Sequence, residues 1–390
     1  MLPGLVLKGL LVKICIVGPT YPYRGGIAHY TTLLVKHLRE AGHTIPFYSY
    51  TRQYPRWLFP GKTDKDPSVT PLRVECEYVL DPTNPLTWWR LCRKIRADNP
   101  DLVILQWWVP YWTPSLRYIS RWLKKHTRTK IVYICHNVVP HEGGGVLDRR
   151  FASTVLKQGD SFIVHSEQDL HRLHALLPRA KVVKAQLPTY AELAHRTEPA
   201  QTQALRQQLN LDPDQPILLF FGFVRPYKGL EYLIQALPLV QQHIKVHLLV
   251  VGEFWSSPDF YQRYAQEYGV EAAITFINRY VPNEELGPYF AVADVVVLPY
   301  VAATQSAVVQ LAFGFGKPVI TTRVGGLHEV VSDGVNGLVV PPQDEVALAE
   351  AIVRYFTEDL SAAMAQQLTR KPTAPCLPGT SSSAALNRLA

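Results

Sequence analysis

No apolar run in this chain approaches the ~20 residues that a membrane-crossing helix needs. Cysteine is sparse. Cys15, Cys76, Cys92, Cys135 and Cys376 are scattered, with no CxxC pair. That argues against a disulfide framework and a structural zinc site, and it fits a reducing cytoplasm. Cys15 and Cys135 lie in strand-like apolar runs and are expected to be small core residues. A GxGxxG dinucleotide fingerprint is missing. So is any Ser/His/Asp or Cys/His set with recognisable spacing. Two acid pairs, Asp64–Asp66 in "DKD" and Asp212–Asp214 in "DPD", sit in polar, proline-bearing loops. They are read as solvated turns, and no metal is expected. The opening "MLPGLVLKGLLVKICIVG" lacks a small-residue cleavage site and runs straight into a strand. No signal peptide is expected there; a weak interfacial anchor is the alternative.

What is present is an ordinary globular composition, 390 residues with 47% hydrophobic and 18% charged. The length suits two domains, each large enough for its own core. The net charge of +8 is unevenly spread: residues 1–190 carry 27 Lys+Arg against 13 Asp+Glu, the remainder 13 against 19. A basic first half beside an acidic second half points to a polyanionic surface facing one half only.

Apolar runs and helical patterns alternate along the chain. "VKICIVG", "DLVILQWW", "KIVYICHN" and "SFIVHS" read as buried strands. "GIAHYTTLLVKHLREAGH" reads as a helix with Ile27, Tyr30, Leu34 and Leu38 on one face and Gly42 as its C-cap. The pattern then restarts with "PILLFFGFV", "VHLLVVGE", "ITFIN", "ADVVVLPY" and "KPVITT". A polar, proline-bearing linker is placed at Leu187–Pro216, with one short helix-like piece. The expected fold is α/β, two Rossmann-like doubly wound parallel-sheet domains facing a cleft. The domains are placed at 1–188 and 189–356, followed by a Pro/Ser-rich, disordered tail at 357–390.

Three strand-to-helix turns could hold an anion. "RGGIA" places Gly25 and Gly26 at a helix N-terminus, where free N–H groups and the helix dipole favour negative charge. "FFGFVRPYKGLEYLIQAL" sets Arg225 and Lys228 in a second such turn; Arg225 can fork onto phosphate oxygens and Lys228 can act as a point charge. In "YVAATQSAVVQLAFGFGKPVI" the amides of Ser306, Ala307 and Val308, beside Gln305, would open a third helix and cup a phosphate. "RVGGLHEVVSDGVNGLVV" adds another Gly-Gly turn and Glu329. His136 ends a buried strand facing the expected cleft; it is either a satisfied loop residue or part of the site.

Seven of the eight tryptophans lie between Trp57 and Trp122, interleaved with cations in "YPRWLFPGK", "WWRLCRKIR" and "YISRWLKKHTRTK". Arg121, Trp122, Lys124 and Lys125 are candidates for a membrane or acceptor surface, because such a mixture suits an anionic phospholipid interface. The bland alternative is core rings with a solvated charged face. Nucleic acid is the weaker rival and is not expected as a partner.

Together "GFVRPYKGLEYLIQAL", "RYVPNEEL", "ADVVVLPY" and "FGKPVITTRVGGLHEVVSDGVNGLVVPPQD" resemble the GT-B glycosyltransferases, specifically glycosyltransferase family 4. The likeness runs from about Lys13 to Phe356, and "PTYPYRGGIAHYTTLLVKHLREAGH" looks like that family's glycine loop and first helix. The resemblance implies metal-independent, retaining hexosyl transfer from a nucleotide diphosphate sugar, UDP- or GDP-linked, to a glycan or lipid-linked acceptor. It implies no cofactor, and a cytoplasmic protein peripheral on the membrane. Arg225 and Lys228 match the pair that holds the donor pyrophosphate. His136 matches the histidine near the donor sugar, and Gly25–Gly26 the loop beside the diphosphate and acceptor. Arg279, Tyr280, Gln305 and Gln310 are candidates for donor sugar or nucleotide contacts.

Two departures stand out. Where the family carries paired glutamates before "GKPV", this chain has Ala303 and Leu311, with Gln305 and Gln310 the nearest polar side chains. The tail also lacks the helical pattern with which these proteins end. A GT-B-shaped nucleotide-sugar-binding protein without catalysis, or another GT-B enzyme such as an epimerase, is the alternative reading; retention of Arg225, Lys228 and both Gly-Gly turns favours the transferase.

Overall fold

A computed structural model describes residues 12–55, 58–59, 61–139, 145–194 and 197–369. Met1–Leu11, Trp57, Cys376 and the Pro/Ser-rich stretch from residue 370 lie outside the described residues. The chain divides into two compact units. One takes the residues up to Asp66 and Pro71–Pro188; the other takes Pro67–Thr70 and the residues from Thr189 on.

The first unit runs β1 (Ile14–Val17), α1 (Gly26–Glu40), β2 (Phe47–Tyr50), β3 (Glu77–Leu80), α2 (Pro85–Asp98), β4 (Leu102–Trp107), α3 (Thr113–His126), β5 (Lys130–Cys135), α4 (Val146–Leu156), β6 (Ser161–Val164), α5 (Glu167–Leu176) and β7 (Val182–Lys184). Its seven strands pair in parallel in the order β3-β2-β1-β4-β5-β6-β7. Both faces are covered, which is why the central strands are apolar throughout. On one face Cys15, Val103, Ile131 and Cys135 pack under Leu91, Ile119, Val155 and Leu173 of α2–α5. On the other, Ile16, Ile104 and Ile134 pack under Tyr30, Leu34 and Leu38 of α1. Each such fully buried Leu, Ile or Val contributes about 1.5–3 kcal/mol. The α1 helix ends at a turn in which Gly42 takes φ +92°, a backbone that favours glycine.

The second unit runs α6 (Pro199–Gln208), β8 (Ile217–Phe221), α7 (Leu230–Gln241), β9 (His247–Val251), α8 (Pro258–Glu267), β10 (Ile274–Ile277), α9 (Leu286–Val292), β11 (Val295–Leu298), α10 (Ala307–Gly314), β12 (Val319–Thr322), β13 (Gly337–Val340), α11 (Glu345–Thr357) and α12 (Leu360–Thr369). Its six parallel strands take the order β10-β9-β8-β11-β12-β13. In both sheets the first strand lies between the second and the fourth. Connections leave it in opposite directions, so each sheet has a switch point, between β1 and β4 and between β8 and β11. In open α/β sheets, ligands bind outside the carboxyl ends of the strands at such a point.

The structure departs from the sequence reading in several places. The strands β2, β3, β7 and β13 were not anticipated. The linker is not a loose polar segment: Tyr190, Leu193, Leu205 and Leu211 are buried, and α6 packs on α9. The expected tail is helical as far as Thr369, because the good helix formers of "LSAAMAQQL" place Met364 in the core. Asp66 does not sit in a solvated turn. Its carboxylate is buried 3.7 Å from His29 Nε2, and its amide donates to the Pro22 carbonyl. Asp212 and Asp214 are exposed, and the Asp214 amide donates to Asp212 Oδ1, the solvated turn anticipated.

Candidate active site

In the second unit, β8 ends at Phe221 and Gly222 turns the chain with φ +101°. The chain passes Arg225 and a short 3-10 turn, Pro226–Lys228, before Gly229 starts α7 with φ +65°. This turn is fastened to the end of β11. The amides of Val301 and Ala302 donate to the Tyr227 carbonyl at 2.8 and 3.3 Å, and a Cβ on Gly229 would lie 2.1 Å from the Pro299 carbonyl oxygen. The Lys228 side chain is thereby folded inward, 7% exposed, with Nζ 5.3 Å from the Tyr300 ring centre. A Cβ on Gly222 would meet Lys228 Nζ at 3.0 Å and Val308 Cγ2 at 3.2 Å. The turns after β8 and β11 therefore converge on one point, the switch point of the sheet.

Burial first, and the Arg225 charge second, pull the Lys228 pKa down from 10.5 to about 7. Arg225 lies 5.0 Å from the Trp255 ring and 5.1 Å from that of Tyr227. Among the described residues no carboxylate lies within ion-pair distance of Lys228. A buried lysine thus lies beside a half-buried arginine at the switch point.

The loop after β11 is fixed from the other side. The Gly326 amide donates to the Thr304 carbonyl at 2.8 Å, Gln305 Nε2 donates to the Gly326 carbonyl at 3.1 Å, and a Cβ on Gly325 would collide with the Ala303 carbonyl. Ser306 caps α10, its hydroxyl accepting from the amides of Val308 and Val309. The Val308 amide is thus engaged within the helix, unlike the phosphate-cupping role anticipated for it. Ala303 and Leu311 are buried, apolar positions, and Gln310 is buried in α10. Arg279 is paired with Glu285 and donates to the Tyr289 hydroxyl, so its guanidinium is already engaged. Tyr280 stands 6.0 Å from Phe223, whose ring lies tilted 4.6 Å from that of Trp255.

In the first unit, Gly25 has φ +103° and Gly26 opens α1, with space for 4 Å around a Gly25 Cβ. The loop at Asp64–Asp66 buttresses this turn: the Arg24 amide donates to the Asp64 carbonyl at 3.1 Å. His136 follows β5, and its Nε2 donates to Gln106 Oε1 at 2.5 Å. Tyr30, 5.0 Å away, and His165, 5.3 Å away, complete a cluster. His165 donates from Nδ1 to the Ala185 carbonyl at 2.8 Å, and burial lowers its pKa to about 4. Burial and His165 also hold His136 well below the usual imidazole range. Both rings are therefore neutral at pH 7. The sequence reading had missed Gly222, Tyr300, Gln106 and His165. The one available signal was a glycine directly after the strand run "ILLFF", where close backbone approach calls for it.

The tryptophans divide. Trp107, Trp108 and Trp112 are core residues, as the alternative of core rings has it; Trp88 and Trp122 are half-buried and Trp89 is exposed. Arg121 and Lys125 are exposed, whereas Lys124 pairs with Asp160 at 3.3 Å. Among the described residues no group of three or more His, Cys, Asp or Glu could hold a metal, and no helix is long and apolar enough to cross a membrane.

Residues 215–358 match the family described as glycosyl transferases group 1, and residues 25–187 match the glycosyl transferase 4-like domain. The chain is 30% identical over 194 residues to a D-inositol 3-phosphate glycosyltransferase of Xylanimonas cellulosilytica, covering 49% of this chain and 44% of that protein. It is 29% identical over 153 residues to an uncharacterised glycosyltransferase of Methanocaldococcus jannaschii, 39% of each. It thus spans less than half the length of these curated relatives. Among solved structures, Anabaena HepE in complex with UDP-glucose superposes with TM-score 0.74 at 19% identity, over 97% of this chain and 99% of that one. Sucrose-phosphate synthase from Thermosynechococcus elongatus gives 0.69 at 21%, over 97% of both. These likenesses establish the fold, and the two matching models give the family: the chain belongs to the group 1, family 4-type glycosyltransferases of GT-B fold.

Proposed function

We propose that the chain transfers a hexose, with retention of configuration, from a nucleotide diphosphate sugar to a glycan or lipid-linked acceptor in cell-surface polysaccharide or glycolipid synthesis. The observation that carries this reading is the buried Lys228 ammonium with Arg225 beside it at the switch point. A diphosphate there neutralises both cations. As the bond to the sugar breaks, negative charge grows on the departing diphosphate, and cations fixed beforehand stabilise it without reorganising. No protein nucleophile and no metal are required. The neutral His136 spends its one N–H on Gln106, so its Nδ1 is left as an acceptor that can take a hydrogen bond from a sugar hydroxyl without adding charge. A uridine diphosphate donor is supported by the UDP complexes among the structural neighbours, and a GDP-sugar fits the same diphosphate turn.

Ala303 and Leu311 favour a second reading, a nucleotide-sugar-binding protein without turnover, because neither side chain can hydrogen-bond a sugar or ribose hydroxyl. Incubation with UDP- and GDP-hexoses and a panel of glycan and lipid-linked acceptors separates the two. Stoichiometric release of nucleoside diphosphate and glycosylated acceptor supports the transferase. Tight donor binding without release supports the binding protein.

A further inference from the structure

We propose that the outer face of α2 and α3 is a docking surface for an anionic phospholipid bilayer. The two helices pack side by side over the sheet, burying Leu91, Cys92, Ile95, Leu116, Ile119 and Leu123. Their outward faces carry the opposite character. Residues 85–130 hold ten Lys and Arg against two Asp, and every one of those cations is exposed. Only Lys94 and Lys124 have an acidic partner among the described residues. Arg117, Arg121 and Lys125 follow at i, i+4 and i+8 along a single stripe of α3.

Charge alone would describe a solvated face. Three further features point to lipid. The cations are interleaved with exposed apolar groups on the same two helices: Leu86 is 65% exposed, Trp89 43% and Tyr118 37%. Between the helices runs a groove of about 650 Å³ lined by Trp88, Arg117, Tyr118, Arg121, Trp122 and Lys125. Its floor is aromatic, with Trp88 and Tyr118 at 5.8 Å and Trp122 stacked at 4.3 Å on His126, and its rim is cationic. Finally, α3 also packs on α4, where Leu147 and Phe151 are exposed beside Arg149 and Arg150. Amphipathic rings at headgroup depth, apolar side chains beyond them and cations against phosphate are the pattern of an interfacial helix face. The exposed leucines on two neighbouring helices, Leu86 and Leu147, fit acyl chains better than base stacking, which calls on aromatic rings. The groove is the seat for a headgroup phosphate, with Arg117, Arg121 and Lys125 as its donors.

The test is sedimentation of the full chain with vesicles of phosphatidylcholine alone and of phosphatidylcholine mixed with phosphatidylglycerol. The wild type should sediment with the mixed vesicles at low salt and be released as salt rises, while ignoring the neutral ones. The triple variant R117Q/R121Q/K125Q should bind on the order of 100-fold more weakly, since each cation near an anionic surface counts for about a factor of five. A control variant with R179Q/K181Q, cations exposed before β7, should bind as the wild type. W89A should weaken binding that salt does not fully reverse. The readout is independent of sugar transfer, so its failure leaves the proposed activity standing. Equal binding to neutral vesicles, no binding to anionic ones at low salt, an unaffected triple variant, or preferential capture by a single-stranded oligonucleotide of equal charge would each overturn the proposal. Circular dichroism of each variant establishes that the fold is intact.

Discussion

A Cβ on Gly222 would stand 3.0 Å from Lys228 Nζ, so the ammonium occupies space that any other residue at 222 would take. The glycine after β8 is thus part of the proposed anion seat as well as a φ +101° turn. G222A should push the ammonium out of position and lower turnover at least tenfold, while R225A and K228A do the same by removing charge. Steady-state kinetics with the identified donor measures this. Near-normal turnover in both cation variants would remove the turn from the mechanism.

The depressed Lys228 pKa gives a pH signature. Free protein holds this lysine partly neutral near pH 7, and a bound diphosphate restores its charge, so binding above pH 7 takes up a proton. Donor affinity should fall as pH rises from about 7 to 9, by up to about tenfold per unit, and flatten below. Calorimetry in two buffers of different ionisation enthalpy counts the proton. For folding the sign is opposite to that of an ion-paired lysine. The unfolded chain binds the proton up to 10.5, so the burial penalty is absent above that pH, grows as pH falls towards about 7, and is constant below. K228M should therefore gain stability over the wild type across that window, read as melting temperature against pH.

Two glycines of equal φ separate backbone strain from collision. Gly229 and Gly269 have φ +65° and +66°, but a Cβ meets the Pro299 carbonyl at 2.1 Å in the first and nothing within 4 Å in the second. G269A should cost only roughly 1–2 kcal/mol, the left-handed strain alone. G229A should cost clearly more and loosen the turn that carries Lys228. Denaturant melts of the two variants give the comparison; equal costs would mean that the turn is not fastened to β11.

Transfer should continue in excess chelator, because two side-chain cations already face the proposed diphosphate and the described residues offer no metal cluster. Loss of activity restored by Mg²⁺ or Mn²⁺ would contradict that division of labour.

The central strands were legible because both faces of each are covered, which writes unbroken apolar runs such as "LVILQW" and "ILLFF" into the sequence. The edge strands were not. At β3, Glu77 and Tyr78 are exposed, and β7 has only three residues, so neither carries a clear period. Arg225 and Lys228 were legible as turn cations. That Lys228 is buried was not, because its neighbours Gly222 and Tyr300 follow two different strands, β8 and β11. The tryptophan-rich region stayed open between core and surface, because ring type alone does not tell Trp112, 1% exposed, from Trp89, 43% exposed. Asp66 was likewise indistinguishable from a solvated turn residue until the loop was seen folded against His29.

Calorimetric titration of the wild type, R225A and K228A with UDP, UMP, GDP and GMP tests the central claim most directly. The account expects at least one diphosphate to bind the wild type well above its monophosphate. Each variant should lose at least tenfold on the diphosphate and little on the monophosphate. Wild-type protein that binds neither diphosphate, or variants that bind both as the wild type does, would contradict the assignment of Arg225 and Lys228 to a nucleotide diphosphate sugar.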